Sequence, residues 1–269
     1  MQSIRPKQSL GQNFLRDENI ARKIVGSLTL APDDVLLEIG PGEGALTKYL
    51  VHHVRDLIVV DIDERVVAAL KEMFPKDEVE ILHRDFLDVD FAGILAGRQA
   101  KRLRIIGNIP YNITSHILFH ILDNRSWIAD ATLMMQKEVA RRLVAAPKTK
   151  DYGILAVFSQ LFADVEVLFD VSPQCFSPVP KVTSSVVRLR ILERPRFAMG
   201  DEHFFRTMIR SIFGKRRKTL RNSLGYFVDP VPPLPLQFDL SKRPEELSIE
   251  ELVQLGNALH ALSGTRLSP

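Results

Sequence analysis

Short runs of Val, Ile and Leu alternate along much of the chain with longer segments in which apolar residues recur at helical spacing. Seven of the short runs predict buried strands, at residues 35–39, 57–61, 79–83, 104–107, 131–135, 165–169 and 184–192. The segments with helical spacing predict helices at 45–53, 64–74, 113–122, 137–144 and 152–162. Such an alternating series predicts a mainly parallel sheet covered by helices on both faces.

The last two predicted strands are joined differently from the others. Their connection, DVSPQCFSPVPKVT, contains three prolines and is too short for a crossover helix. We therefore expect the last strand to run antiparallel to its neighbour. Beyond Glu193 only helical spacing is found, for example over 204–213 and 249–262. The sequence predicts an α/β domain over residues 1–193 and a small all-helical domain over 194–269.

Composition adds expectations about the compartment and the partners. The single cysteine, Cys175, excludes an internal disulfide, which favours a reducing compartment. The N-terminus lacks the apolar core of a signal peptide, and no apolar run is long enough to span a bilayer. We therefore expect a soluble, cytoplasmic protein without a membrane partner. The net charge of +3 is small, so nucleic-acid binding must be argued from where basic residues lie.

Basic residues are concentrated in two segments. Between residues 206 and 221 there are seven basic residues and no acidic one, whereas a solvated helix face normally alternates in sign. The second segment, 137–150, contains one acidic residue, Glu138. We interpret both segments as contacts for nucleic-acid phosphates. The predicted RNA-binding residues are Lys137, Arg141, Arg142, Lys148, Arg216, Arg217, Lys218 and Arg221.

A glycine-rich turn, GPGEG at 40–44, follows the first predicted strand. With Asp61 about 20 residues later, this spacing also fits a dinucleotide-binding fingerprint, so the turn alone is ambiguous. Glu38 favours S-adenosylmethionine, because a carboxylate there would repel a pyrophosphate but attract an ammonium and a sulfonium. Asp61 can accept both ribose hydroxyls, and Asp85 an adenine amino group. Each aspartate alone could be a helix cap, but their positions at successive strand ends favour a site.

The segment NIPYN, residues 108–112, follows the fourth predicted strand. An adenine amino nitrogen is a poor nucleophile because its lone pair is delocalised into the ring. The Asn108 side-chain oxygen and the Ile109 carbonyl could accept its two protons and stabilise the developing charge. Pro110 holds Ile109 extended, and Tyr111 offers a ring on which an extruded base can stack. A turn that only closes the strand is the alternative interpretation.

Taken together, these motifs give a chain that resembles the ribosomal RNA adenine dimethyltransferase family, and its bacterial small-subunit branch in particular. The resemblance covers nearly the full length of the chain. It rests on KQSLGQNFL, EIGPGEGALT, VVDID, GNIPYNI, MMQKEVARRLVA, FSPVPKVTSSVVRL and RRKTLRNSL, in that order. It implies a seven-stranded, Rossmann-like fold of the S-adenosylmethionine-dependent methyltransferases, with a helical domain after it.

The resemblance also implies roles for individual residues. The predicted cofactor-binding set is Gln12, Asn13, Leu15, Glu38, Gly40, Gly42, Asp61, Ile62, Asp85, Phe86 and Asn108, with S-adenosyl-L-methionine as the cofactor. Asn108 and Tyr111 would serve the target adenine, with Phe176 as a second stacking partner. Asp61 stands where the family usually carries Glu, so its contact with the ribose is expected to be longer or bridged by water.

The implied reaction is transfer of two methyl groups to N6 of each of two adjacent adenines. These adenines lie in the hairpin loop near the 3′ end of 16S rRNA in the assembling 30S subunit, and loss of the reaction gives kasugamycin resistance. We expect a monomer. We also expect no metal, because methyl transfer to nitrogen requires none.

Two alternatives stay open. One is a large-subunit (23S) rRNA adenine methyltransferase of the macrolide-resistance type, which shares GQNF. The other is a non-enzymatic RNA-binding or assembly factor of the same fold. RRKTLRNSL favours the small-subunit branch, and the presence of Asn108, Pro110 and Tyr111 with Glu38 favours an enzyme.

Overall fold

The predicted alternation of strands and helices is present in a computed structural model, which describes residues 4–7, 10–215, 218–235 and 237–264. The strands of these described residues are β1 (Phe14–Leu15), β2 (Val35–Ile39), β3 (Asp56–Asp61), β4 (Glu80–His83), β5 (Leu103–Asn108), β6 (Ile128–Gln136), β7 (Ala163–Val171), β8 (Phe176–Ser177) and β9 (Ser184–Ile191). The helices are α1 (Glu18–Ser27), α2 (Thr47–Leu50), α3 (Glu64–Met73), α4 (Phe91–Leu95), α5 (Thr114–Asp123), α6 (Lys137–Leu143), α7 (Ile154–Phe162), α8 (Glu202–Phe213), α9 (Leu220–Leu224) and α10 (Ile249–Gly264).

Seven strands form the main sheet, in the spatial order β4–β3–β2–β5–β6–β9–β7. The pairs β2–β3, β2–β5, β3–β4 and β5–β6 are parallel, whereas β9 runs antiparallel to β6. The predicted mostly parallel sheet with a reversed last strand is therefore confirmed. The strand order reverses at β2, because the chain continues from β4 to β5 on the other side of β2. In such sheets ligands bind at the carboxyl ends of the strands beside this reversal.

A second sheet consists of β1 and β8, which pair antiparallel with Leu15 opposite Phe176. Both residues are buried and belong to the core that β2, β3 and α1 also build. The sequence did not predict this sheet, because strands of two residues are too short to show alternation.

Contacts divide the chain into two compact units. The first comprises Met1–Ala140 and Asp164–Ile191, and the second comprises Arg141–Ala163 and Leu192–Pro269. The predicted domain boundary left 141–163 in the α/β domain, whereas this segment packs with the helical unit. The reason is α7, whose residues Ala156–Ser159, Leu161 and Phe162 are all buried. Within the helical unit α7 packs against α8 and α10, and the Phe158 ring meets the Phe205 ring edge-on at 6.1 Å.

In the parts of the chain that the structure describes, no helix has both the length and the apolar character needed to cross a membrane.

Candidate active site

A cavity of about 290 Å³ opens at the carboxyl ends of β2, β3, β4 and β5, beside the reversal of strand order. This volume is at the lower end of the range for small-molecule sites, about 300–1,000 Å³. The predicted site residues that line it are Gln12, Asn13, Gly40, Gly42, Asp61, Ile62, Asp85, Phe86, Asn108, Ile109, Pro110 and Tyr111. The structure therefore brings most of the predicted cofactor and adenine residues together in one place.

Three predicted residues lie outside this cavity. Leu15 and Glu38 line a smaller neighbouring cavity of about 20 Å³, which shares Gly40, Gly42 and Asn108 with the first. Phe176 lines neither of the two. The residue is 3% exposed, because the pairing of β8 with β1 places it in the core. Phe176 therefore presents no ring face to the cavity in this structure, and its role as a stacking partner stays a prediction.

The cavity also contains residues that the sequence did not single out. Leu10, Gly11 and Phe14 extend its wall on the N-terminal side, and Arg84 stands beside Asp85. Phe14 is the most informative of them, because a Cβ built on Gly42 would approach its ring to 2.8 Å. Gly42 also has a φ of +56°, a conformation that favours glycine. The turn and the Phe14 ring can therefore only fit together with glycine at position 42.

Glu38 is a buried carboxyl group beside the main cavity. It is 1% exposed in β2 and accepts a hydrogen bond of 2.7 Å from the Thr47 hydroxyl. Burial, with a smaller contribution from Asp61, raises the pKa of Glu38 to about 8. At neutral pH the group is therefore mainly protonated in the free chain. The predicted attraction between Glu38 and a cationic ligand requires the ionised carboxylate. A cation bound close to Glu38 would favour that form by lowering its pKa.

Two aspartates at strand ends each use one oxygen within the protein. Asp61 Oδ1 accepts the backbone N–H of Asp63 at 2.8 Å, and Asp85 Oδ1 accepts that of Leu87 at 2.9 Å. Burial raises the pKa of Asp61 to about 6. Asp85 thus caps a short turn and lines the cavity at the same time, so its role as a cap does not exclude a role in the site.

The segment after β5 presents acceptor groups and a ring to the cavity. Asn108 Nδ2 donates to the carbonyl oxygen of Asn13 at 2.8 Å, so Oδ1 is the acceptor end of this planar amide. The Tyr111 hydroxyl is 2.6 Å from Ser184 Oγ, which fixes the ring from its far end. Burial raises the pKa of Tyr111, so its phenol stays neutral at physiological pH.

The predicted RNA-binding residues are distributed unevenly over the two units. Lys137 belongs to the sheet unit and forms an ion pair with Asp170. The predicted RNA-binding residues that belong to the helical unit are all exposed, and they are Arg141, Arg142, Lys148, Lys218 and Arg221. Arg216 and Arg217 lie outside the described residues. Apart from Lys137, the predicted residues that the structure describes thus belong to one compact unit, although the two segments are about 70 residues apart in the sequence.

Comparison with known proteins identifies relatives over the whole chain. The family model described as ribosomal RNA adenine dimethylase matches residues 4–232. A "Ribosomal RNA small subunit methyltransferase A" from Geobacter metallireducens is 42% identical over 271 residues, covering 98% of this chain and 98% of the relative. One of the same name from Chlorobium phaeobacteroides is 45% identical over 259 residues, covering 96% and 95%.

Two crystal structures are similar to the whole chain. A dimethyladenosine transferase from Plasmodium falciparum has a TM-score of 0.75 at 24% identity, covering 94% of this chain and 98% of that one, and supports the fold alone. The 23S rRNA methyltransferase ErmE has a TM-score of 0.68 at 27% identity, covering 92% and 100%. These likenesses confirm the predicted methyltransferase fold. With the family model spanning most of its length, the chain belongs to the ribosomal RNA adenine dimethylase family.

Proposed function

We propose that this chain transfers methyl groups from S-adenosyl-L-methionine to N6 of two adjacent adenines near the 3′ end of 16S rRNA. The observation that carries the proposal is one cavity that joins two kinds of group. Asn108, Ile109 and Tyr111 supply acceptors and a ring suited to an adenine, and Asp61 and Asp85 supply carboxylates suited to a nucleoside. Both sets lie at neighbouring strand ends, so a donor and an acceptor of the methyl group would meet there.

The residues present fit this cofactor. Gly42 keeps the turn free of a side chain where Phe14 approaches it, and apolar groups such as Val60 and Ile62 line the same wall. Asp61 holds the ribose hydroxyls and Asp85 the adenine amino group. When bound, the cofactor supplies an electrophilic methyl group on a sulfonium centre, and this positive charge stabilises the ionised form of Glu38.

The protein's own groups prepare the target nitrogen. Asn108 Oδ1 and the Ile109 carbonyl accept the two amino protons, which directs the nitrogen lone pair out of the ring. Tyr111 stacks on the extruded base, while its hydroxyl stays on Ser184. The target is thus held by the strand end itself and needs no rearrangement of the sheet.

The small-subunit substrate is favoured over the alternatives. Relatives named for the small subunit are 42% and 45% identical to this chain, against 27% for the 23S enzyme. A non-enzymatic factor would not need the acceptor groups that line the cavity. We also propose that the chain acts as a cytoplasmic monomer on 16S rRNA of assembling 30S particles. The exposed basic residues of the helical unit would hold phosphates there.

Labelled methyl transfer tests this proposal. Small subunits that lack the modification are incubated with labelled S-adenosylmethionine, with large subunits and modified small subunits as controls. We expect label in the 3′ hairpin of unmodified 16S rRNA and little in either control. Label in 23S rRNA alone, or in neither RNA, would contradict the proposal.

A further inference from the structure

Asp63 makes more contacts than a helix cap requires. It precedes α3, and its Oδ1 accepts the Arg65 backbone N–H at 3.2 Å and Arg65 Nε at 3.0 Å. Its side chain is 1% exposed. The second oxygen, Oδ2, accepts Gln12 Nε2 at 3.1 Å, from a residue 51 positions away in the sequence, and it also pairs with the Arg65 guanidinium. Lys7 Nζ lies 3.5 Å from Oδ1. Asp63 therefore holds the N-terminal segment as well as α3.

Gln12 is fixed at both ends of its amide. Nε2 donates to Asp63, and Oε1 accepts the Lys7 backbone N–H at 2.8 Å. Because the amide is planar and each end has one partner, these two bonds set the orientation of the side chain. Gln12 was predicted to bind the cofactor, but both of its polar side-chain atoms are engaged within the protein.

The next residue connects this anchor to the candidate active site. The Asn13 carbonyl accepts Asn108 Nδ2, and this bond decides which end of the Asn108 amide is the free acceptor. A series of hydrogen bonds thus runs from Asp63 through Gln12 and the backbone to Asn108. Residues 10–14 lie along this series and form one wall of the cavity.

A second anchor fastens the same segment on the other side. Glu43, in the glycine-rich turn, accepts the Ile4 backbone N–H at 2.7 Å and pairs with Arg16. The Arg65 guanidinium also donates to the Arg5 carbonyl at 3.0 Å. The N-terminal segment is therefore held both by the turn after β2, through Glu43, and by the start of α3, through Arg65.

We propose that Asp63 and Gln12 are positioning residues. Their hydrogen bond holds residues 10–14 in place, and the Asn13 carbonyl then orients Asn108 so that Oδ1 faces the target amino group. Neither residue is required to touch the reacting atoms. The role given to Asn108 rests on the proposed function, whereas the anchoring of residues 10–14 does not.

A reciprocal exchange of donor and acceptor tests the coupling. Gln12→Glu replaces the donor by a second carboxylate, and Asp63→Asn leaves an amide that can still cap α3. Each single change removes the donor–acceptor pairing between residues 12 and 63. The double variant restores that pairing with its ends exchanged, but it does not restore the ion pair of Asp63 with Arg65. Hydrogen exchange of backbone amides 10–14 is measured in the free chain, and kcat is measured with unmethylated small subunits.

For each single variant we expect exchange of amides 10–14 to be faster by about 10-fold or more, and kcat lower by a similar factor. In the double variant both values should be at least about threefold closer to the wild type than in Asp63→Asn, because the bond between residues 12 and 63 returns while the ion pair with Arg65 does not. Asp201→Asn is the matched control, because Asp201 caps α8 in the helical unit by accepting the Phe204 N–H at 2.7 Å. It should change neither value.

Two results would overturn the positioning role. One is wild-type exchange of amides 10–14 in both single variants. The other is a double variant whose loss equals the sum of the single losses, because that would mean that the two side chains are not coupled. If exchange follows the expected pattern but even the wild type transfers no methyl group, the anchoring is supported and the proposed function fails.

Discussion

Asn108 and Asp85 each use one polar atom on the protein and present another to the cavity. The Asn13 carbonyl takes Asn108 Nδ2, and the Leu87 N–H takes one oxygen of Asp85. In both cases the internal bond sets the orientation of the remaining acceptor. Acceptors that are held in place before the substrate arrives need little reorganisation when charge develops. In the proposed mechanism, selectivity for an amino group would follow from hydrogen bonds already present in the free chain.

Substitutions of Tyr111 can separate the contribution of its ring to the reaction rate from that of its hydroxyl. Tyr111→Leu should lower kcat/KM for the small subunit about 5- to 150-fold, because base stacking contributes about 1–3 kcal/mol. Tyr111→Phe and Ser184→Ala remove only the hydroxyl pair and should stay within about threefold of the wild type. Steady-state kinetics with unmethylated small subunits measures all three. A loss in Tyr111→Phe as large as in Tyr111→Leu would assign the effect to the hydroxyl.

Most site residues could be predicted from the sequence because they directly follow strands. Asp61 and Asn108 end buried apolar runs, so their positions in the sheet were set once the strands were recognised. The burial of Phe176 could not be predicted, because it depends on pairing with β1, a contact between residues about 160 positions apart. The second role of Asp63 was missed for the same reason, since a cap is visible locally and the bond to Gln12 is not.

At the scale of elements, β2 combines a strand of buried residues with one buried acid. Val35, Leu36, Leu37 and Ile39 are at most 4% exposed, as expected of a strand in the middle of a parallel sheet. Glu38 interrupts this run, and its side chain accepts a hydrogen bond from Thr47 at the start of α2. A carboxyl group in this position makes the stability of the sheet depend on pH.

We expect Glu38→Gln to remove part of that dependence. The pKa of Glu38 is about 8 in the folded chain against an ordinary value of 4.5. Its protonated form therefore stabilises the fold fully below about pH 4.5, and this contribution is lost as the pH rises through 8. The slope is at most about 1.4 kcal/mol per pH unit. Thermal unfolding between pH 5 and pH 9 should show a smaller fall in Tm for the variant than for the wild type.

The control for this experiment is Glu64→Gln, the same change at an exposed position in the first turn of α3. It should leave the slope of Tm against pH as in the wild type. Equal slopes for the wild type and Glu38→Gln would contradict the proton uptake assigned to Glu38.

The elements themselves could be predicted where their pattern is local. Buried parallel strands appear as apolar runs, so all seven strands of the main sheet were found, with ends that differ by a few residues. The helix α7 was also found, but not its partners. An almost wholly apolar helix shows that it is buried without showing against what, and α8 lies about 40 residues further along the chain.

For the whole molecule, the division into two units separates two tasks. The sheet unit contains every residue that lines the main cavity. The helical unit contains the exposed basic residues of both segments that the sequence singled out. We infer that the sheet unit selects adenine N6 as the atom that is methylated. The basic residues of the helical unit then help to determine which RNA is bound.

Charge reversal on the helical unit tests this division of tasks. Lys218→Glu with Arg221→Glu should weaken binding to the small subunit and reduce the slope of log K against log salt by about 0.7–0.9 per lost phosphate contact. Affinity for S-adenosylhomocysteine should not change. Lys71→Glu with Lys76→Glu makes the same charge change at exposed positions of the sheet unit and should have a smaller effect. Equal effects of both pairs would mean that net charge alone matters.

The most direct test of the account is a map of N6-dimethyladenine in small-subunit rRNA after reaction with the wild type and with Asn108→Ala. We expect dimethylation of the two adjacent adenines of the 3′ hairpin by the wild type. The variant should react at least about 100-fold more slowly, since it lacks the acceptor that prepares the amino nitrogen. Its melting temperature serves as the control for folding. Methylation at the full rate by a folded Asn108→Ala variant would contradict the account.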